Sequence, residues 1–140
     1  MNSHLRVYSD GASRGNPGPS AIAFLIVGED GKILKRHSEC VGVRTNNQVE
    51  YDALISALEF ASALRGQEVV CCMDSELVVK QLNGEYRVRS RKLEFLWLKV
   101  YELKEKFQKI SFIHVPRTDT YIQLVDRLAN QTLDRAGYIR

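Results

Sequence analysis

The stretch YSDGASRGNPGPSAIAFLI, residues 8–26, joins the end of one strand to a glycine-rich turn and a long apolar run. Alternating residues from Leu5 to Asp10 predict the first strand, with Asp10 at its end. The apolar run at 20–27 predicts a central strand, and the turn sequence GEDG leads into a third strand over 32–43. We therefore expect these three strands to form an antiparallel meander.

After this meander, the apolar residues recur every three or four positions instead of every two. Helical spacing predicts helices over 46–64, 74–82, 93–107 and 121–135. Short apolar runs predict strands over 68–73 and 110–115. The order β-β-β-α-β-α-α-β-α indicates an α/β fold in which helices cover a mixed sheet.

Length and composition fit one globular domain over residues 1–140, because 44% of the residues are hydrophobic and 26% are charged. The net charge of +3 favours no class of partner by itself. No apolar stretch reaches the roughly 18 residues of a membrane span, and the N-terminus lacks the apolar core of a signal peptide. Three cysteines without metal-ligand spacing argue against a disulfide framework or a zinc site. We expect a cytoplasmic monomer that has no membrane partner.

Three of four candidate acidic residues lie at the end of a predicted strand or near the start of a predicted helix, and the fourth lies within the last helix. Asp10 and Asp74 end strands, Glu50 lies in the predicted first turn of the first long helix, and Asp126 lies in the last helix. Ligand sites of open α/β sheets gather at strand ends. Clustered carboxylates repel one another unless cations lie between them, and oxygen ligands of this kind select Mg²⁺ or Mn²⁺.

These acids also have purely structural interpretations, which the pattern alone leaves open. The helix dipole favours an acid in a first helical turn, which would account for Glu50 and Asp74. Aspartate before glycine is common in turns, which would account for Asp10.

Four stretches carry a resemblance to a known family. The first is the 8–26 stretch, and the others are TNNQVEYDALISAL at 45–58, MDSELVVKQLNGEYRVR at 73–89 and HVPRTDTYIQLVDRLAN at 114–130. Together, in this order, they resemble type 1 ribonuclease H. The resemblance implies a ribonuclease H-like fold, with a five-stranded mixed sheet in the order 3-2-1-4-5 and helices on both faces.

The same resemblance implies an endonuclease that hydrolyses the RNA strand of RNA/DNA hybrids and leaves 5′-phosphate and 3′-hydroxyl ends. Double-stranded RNA is a further candidate substrate. The implied cofactors are two Mg²⁺ or Mn²⁺ ions per site. The implied catalytic residues, which are also the metal ligands, are Asp10, Glu50, Asp74 and Asp126.

Contacts to the RNA strand carry over from the matching motifs. Gly11, Ser13 and Asn16 match a turn that lies against the RNA minor groove, where the 2′-hydroxyls are displayed. Asn46 and Asn47 match a pair that contacts bases and sugars near the cut. Glu76 replaces a glutamine that faces the RNA in many relatives. The alternatives are a helix cap for Asn46 and simple turn roles for the glycines.

Contacts to the DNA strand are implied in the same way. Thr45 matches a hydroxyl that holds a DNA phosphate, and Ser90 stands where many relatives place an asparagine in that phosphate pocket. Thr45 has a helix cap as its alternative role. The segment between Gly84 and Leu93 is too short for an extra basic helix, but it holds Arg87 and Arg89 in a basic cluster with Arg91 and Lys92. This cluster predicts phosphate contact, with a solvated helix start as the alternative.

The sequence departs from the family pattern around the last acid. Ile122 and Val125 replace the usual asparagine and small residue, and the loop at 117–121 lacks the histidine of many relatives. Arg117 is a candidate for phosphate or leaving-group contact, whereas His114 is expected to be an ordinary strand residue.

Two other functions remain as hypotheses. One is a catalytically silent module of the same fold that binds hybrids or double-stranded RNA. The presence of all four acids argues against it, because binding alone does not require a repulsive cluster. The other is a resolvase-like or transposase-like nuclease, which the short length and the flanking sequences disfavour.

Overall fold

The structure, a computed structural model, describes residues 3–139 and contains the strands and helices in the predicted order. The strands are β1 (His4–Ser13), β2 (Gly18–Val27), β3 (Ile33–Arg44), β4 (Glu68–Met73) and β5 (Lys109–His114). The helices are α1 (Asn46–Ala63), α2 (Glu76–Leu82), α3 (Arg91–Lys104) and α4 (Thr120–Arg135). Among the described residues, none of the helices combines the length and apolarity needed to cross a bilayer.

The strands form one mixed sheet in the order β3-β2-β1-β4-β5, as predicted. The first three strands pair antiparallel, whereas β1 pairs with β4, and β4 with β5, in parallel. One face of the sheet packs against α1, α2 and α3 through a core that includes Val7, Phe24 and Leu54. The other face packs against α4 through Tyr8, Leu25 and other buried residues. The prediction of helices on both faces is therefore confirmed.

The first strand is longer than predicted, which changes the place of Asp10. Because β1 continues to Ser13 along its antiparallel partner β2, the prediction that Asp10 ends the strand is wrong. The parallel pairing of β1 with β4 ends at Tyr8 and Cys72. Asp10 therefore lies just beyond the point where β4 leaves β1, and the Asp74 that follows β4 comes to the same edge.

Serine and threonine caps set the helix boundaries. Thr45 accepts a hydrogen bond from the Gln48 N–H and completes a capping box with the Gln48 side chain, so α1 begins at Asn46. Ser75 and Ser90 accept bonds from the third residue beyond them, and α2 and α3 start after these caps. The predicted range 74–82 therefore begins two residues too early. The predicted range 93–107 begins two residues too late, and it also ends three residues too late. Phe107 lies outside α3 but is still buried.

These boundaries also remove one structural explanation for two of the acids. Glu50 is the fifth residue of α1, and within this described helix the first turn holds no acid, so its predicted first-turn position is wrong. Asp74 precedes the Ser75 cap and lies outside α2. The dipole of a helix start therefore does not account for either residue.

Candidate active site

Three carboxylates meet where β1, β4 and α1 come together. Asp10 projects from β1, Glu50 from α1, and Asp74 from the residue directly after β4. Each offers a carboxylate oxygen, and these oxygens all lie within 4.8 Å of one another. Asp10 is buried, and the other two are partly buried. The cluster combines the parallel β1–β4 pair with a helix that crosses it, as the sequence predicted.

The backbone N–H of Gly11 links the two innermost carboxylates. It donates to Asp10 Oδ1 at 2.9 Å and to Glu50 Oε1 at 3.0 Å. The second carboxylate oxygen of Glu50, Oε2, is buried without a hydrogen-bond partner among the described residues. A buried carboxylate oxygen without a donor is unusual and calls for an explanation.

Burial and mutual repulsion shift the protonation of the cluster. Burial, followed by the negative charge of Glu50, raises the pKa of Asp10 well above the ordinary range for an aspartate. Burial also raises the pKa of Glu50, although the hydrogen bonds from Asp10 and Gly11 oppose the shift. Without a counter-charge, the two carboxylates therefore retain a proton at a pH where isolated carboxylates have lost theirs.

Asp74 lies nearer to solvent and has a cationic neighbour. Burial raises its pKa, and the positive charge of Arg117 opposes that shift. The distance between Arg117 Nε and Asp74 Oδ2 is 3.7 Å, and 92% of the arginine side chain is exposed. Arg117, the candidate phosphate contact, is thus free to turn toward a ligand above the cluster.

The donor set fits a divalent cation. The cluster consists of carboxylate oxygens, which are hard ligands that suit Mg²⁺ and Mn²⁺. Glu50 Oε2 is an acceptor for which the described residues supply no donor, and a cation would satisfy it. A cation would also remove the repulsion that raises the pKa values of Asp10 and Glu50.

Asp126 joins the site from α4 but is not one of the three closely clustered residues. It is exposed on the helix, next to the buried Val125, and it lines the same cleft as Asp10 and Asp74. Its negative charge contributes to the raised pKa values of the other three acids. Asn130 Nδ2 donates to Asp126 Oδ1 at 3.3 Å. The structure therefore shows three carboxylates in close contact range and a fourth on the cleft wall.

The acids lie in an open cleft of about 960 Å³. Of the predicted substrate-contact residues, Gly11, Asn46 and Asn47 line this cleft. Gln123 and Arg127 of α4 also line it, although they were not predicted from the sequence.

A second polar pocket, of about 360 Å³, lies beside the cleft and shares Asn47 with it. It is lined by residues from the β1–β2 turn, the start of α1 and the start of α3: Asn16, Thr45, Asn47, Gln48, Ser90, Lys92 and Leu93. Asn16 Oδ1 accepts a bond from the Asn46 N–H at 2.9 Å, which ties the turn to α1. Thr45 and Ser90 cap their helices and line this pocket at the same time.

The other predicted contact residues do not line either pocket. The Ser13 hydroxyl pairs with the Ser20 hydroxyl, between β1 and β2. Glu76 is exposed and forms an ion pair with Lys80 at 2.8 Å, which lowers the pKa of Glu76. Arg87 and Arg89 are exposed in the segment between α2 and α3.

Two residues with contacts near the site were absent from the sequence-based prediction. Asn130 follows Asp126 by four residues, a spacing that places both on one helix face and could have revealed the contact. Arg14 reaches Asn130 from the β1–β2 turn, and no sequence pattern indicates that contact.

Comparisons with known proteins agree with this geometry. Residues 8–132 match the family described as reverse transcriptase-like. Ribonuclease HI of Halobacterium salinarum is 42% identical over 132 residues, which are 94% of this chain and 65% of the relative. The chain thus spans 65% of the length of that curated relative.

Solved structures show the same similarity. RNase H1 from the halophilic archaeon Halobacterium salinarum superposes with a TM-score of 0.91 at 41% identity, covering 94% of this chain and 98% of that chain. LC11-RNase H1, solved in complex with RNA/DNA hybrid, superposes with a TM-score of 0.85 at 38% identity, covering 94% and 98%.

Proposed function

Because the chain belongs to the ribonuclease H-like, reverse transcriptase-like family, we propose that it is an endonuclease that hydrolyses the RNA strand of RNA/DNA hybrids. The observation that carries the proposal is the close cluster of Asp10, Glu50 and Asp74 with an unsatisfied buried oxygen on Glu50. The crystallised complex of the relative LC11-RNase H1 with a hybrid supports the choice of substrate.

Asp10, Glu50, Asp74 and Asp126 would hold the cations, with Mg²⁺ or Mn²⁺ as the proposed ions and two ions per site. Bound divalent cations supply charge neutralisation and a reactive water at neutral pH in phosphodiester hydrolysis. The residues of the chain fix the geometry, because Asp10 and Glu50 are both held by the Gly11 N–H. The proposed products carry 5′-phosphate and 3′-hydroxyl ends.

Asn46 and Asn47 are the proposed contacts to the RNA strand. Both lie at the start of α1 and line the cleft that contains the carboxylates. Their side chains offer donors and acceptors, and RNA alone presents 2′-hydroxyl groups that can use both. We therefore propose that this end of α1 distinguishes the strand that is cut.

The second pocket is proposed to hold a phosphate of the DNA strand. It combines the hydroxyls of Thr45 and Ser90 with the ammonium of Lys92, and these groups suit a phosphate. The shared residue Asn47 joins this pocket to the catalytic cleft. The exposed Arg87 and Arg89 would add attraction for the nucleic-acid backbone without sequence preference.

Cleavage of labelled substrates tests the proposal. An RNA/DNA hybrid, double-stranded RNA and double-stranded DNA of one sequence are incubated with the protein and Mg²⁺ or Mn²⁺, with EDTA as the control. We expect cuts within the RNA strand of the hybrid that EDTA abolishes. Binding of the hybrid without any metal-dependent cut would instead support a catalytically silent module.

A further inference from the structure

Arg14 is an enclosed cation in the turn between β1 and β2. Its side chain is 7% exposed. The turn around it is tightly built, because the Arg14 N–H donates to Pro19 O at 2.8 Å and a β-carbon on Gly18 would collide with the Arg14 carbonyl oxygen. The backbone thus fixes the point from which the guanidinium extends.

The Arg14 guanidinium contacts two residues in the second half of α4 and also Tyr138, which lies three residues beyond the end of that helix. Nη1 donates to Tyr138 O at 2.8 Å, and Nη2 donates to Asn130 O at 3.1 Å and to Asn130 Oδ1 at 3.2 Å. Nη2 also pairs with Asp134 Oδ1 at 3.1 Å. One side chain therefore connects the β1–β2 turn to the helix that carries Asp126.

The bond to Asn130 decides which way its side-chain amide faces. A guanidinium only donates, so the amide oxygen of Asn130 faces Arg14. The amide nitrogen is then directed at Asp126, where it donates to the backbone oxygen at 3.0 Å and to Oδ1 at 3.3 Å. With the amide reversed, its oxygen would face the carboxylate oxygen of Asp126, and the two would repel.

We propose that Arg14 is a positioning residue for catalysis, which acts through Asn130 to hold the Asp126 carboxylate at the cleft. The inference rests on the proposed function, because it assigns Asp126 a part in the hydrolysis. It explains why an enclosed arginine side chain donates to a side chain five residues before the end of α4. Groups that orient the ligands of a metal site typically change activity or metal affinity about 10- to 100-fold when they are removed.

Two single variants and their combination test the proposal. Arg14→Met removes the donor, and Asn130→Ala removes the amide that transmits its effect. Each is expected to lower kcat for hybrid cleavage about tenfold with little change in KM. The double variant should lose no more than either single variant, because both changes interrupt the same connection.

A second measurement does not depend on activity. The side-chain amide signals of Asn130 in a ¹H–¹⁵N spectrum, assigned by their absence in Asn130→Ala, report the bond to Asp126. We expect these signals to move toward the position of a solvent-exposed asparagine in Arg14→Met, while backbone signals of β4 and α3 stay in place. Unmoved side-chain signals would overturn the proposal.

A variant that ends at Gly137 provides the matched control. It lacks the Tyr138 carbonyl that accepts from Arg14, but it keeps the connection between Arg14, Asn130 and Asp126. We expect reduced stability and a kcat close to wild type. If this variant loses as much kcat as Arg14→Met, or if the single losses multiply in the double variant, Arg14 merely anchors the end of α4. If wild type itself leaves hybrids uncut, the proposed function fails instead, and the spectrum still tests the orientation of Asn130.

Discussion

Val49 of α1 rests directly on Gly11 of β1, and a β-carbon at Gly11 would lie 2.6 Å from Val49 Cγ1. Glu50 is the next residue along α1, and its Oε1 accepts from the Gly11 N–H at 3.0 Å. The missing side chain at position 11 therefore lets α1 approach β1 closely enough to place Glu50 beside Asp10. A glycine that could have been an ordinary turn residue instead sets the geometry of the carboxylate cluster.

Gly11→Ala should therefore abolish most of the activity. The new methyl group collides with Val49 and displaces Glu50, and overpacking of this kind costs about 1–3 kcal/mol of stability. Hybrid cleavage and urea unfolding measure the two effects. Gly66→Ala is the matched control, because its β-carbon would meet Leu5 Cδ1 at 2.6 Å, away from the site. Equal losses of kcat in both variants would contradict the role given to Gly11.

Asp10→Asn should make the metal-free protein more stable at neutral and alkaline pH. The pKa of Asp10 is raised on folding, so its contribution to stability is present below the pKa of the unfolded chain and is lost as the pH rises toward the folded pKa. Each extra proton bound by the folded state makes stability fall by roughly 1.4 kcal/mol per pH unit. Urea unfolding in EDTA between pH 5 and 8 should show a shallower decline for Asp10→Asn than for wild type.

Divalent cations should stabilise wild type more than they stabilise Asp10→Asn. Mg²⁺ or Mn²⁺ relieves the repulsion around Asp10 and Glu50, so either ion should raise the thermal midpoint of wild type at pH 8. Asp10→Asn removes a ligand and should gain little from the same addition. A thermal midpoint of wild type that neither ion changes would contradict the assignment of a cation to the cluster.

Ser9→Ala should stabilise the protein by about 1 kcal/mol. The Ser9 hydroxyl is buried and lacks a hydrogen-bond partner among the described residues, and such a group costs about 1–3 kcal/mol. Ser20 is the matched control, because it is equally buried but its Oγ donates to Gly18 O at 2.8 Å. Ser20→Ala should destabilise. The explanation is wrong if urea unfolding shows Ser9→Ala to be the less stable of the two.

Lys92→Ala should weaken binding of the hybrid and make it less sensitive to salt. Lys92 lines the proposed phosphate pocket, and loss of one phosphate contact lowers the slope of log affinity against log salt by about 1. Lys92 is a better probe than Thr45 or Ser90, because those residues also cap helices. Lys99→Ala, on the same helix but outside that pocket, should leave the slope unchanged.

The sequence predicts the fold and the three clustered acids for clear physical reasons. Apolar periodicity distinguishes strands from helices, and strands β1 and β4 bring Asp10 and Asp74 to one edge of the sheet. The motifs identify the family independently of these patterns. Glu50 was predicted in the cluster, but its supposed first-turn position was wrong, because α1 starts at Asn46 as predicted and Glu50 is the fifth residue, just beyond the first turn.

Side-chain contacts between distant segments could not be predicted in this way. The bond from Arg14 to Asn130 joins residues 116 positions apart, and no periodic pattern relates the two positions. The RNA contacts of Ser13 and Glu76 stay predictions, whereas the pairing of their side chains with Ser20 and Lys80 was not indicated by the sequence. Such pairings depend on the three-dimensional geometry of turns and helix ends. The secondary-structure propensities of the individual residues do not predict that geometry.

Asp74→Asn, assayed on a labelled RNA/DNA hybrid, tests the central claim most directly. Asparagine keeps the size of the side chain and removes the charge, so the fold and the affinity for the hybrid should change little. We expect wild type to cut the RNA strand with Mg²⁺ or Mn²⁺ and Asp74→Asn to leave it intact while still binding it. Cleavage by Asp74→Asn at a rate near wild type would contradict the assignment of the carboxylate cluster as the catalytic site.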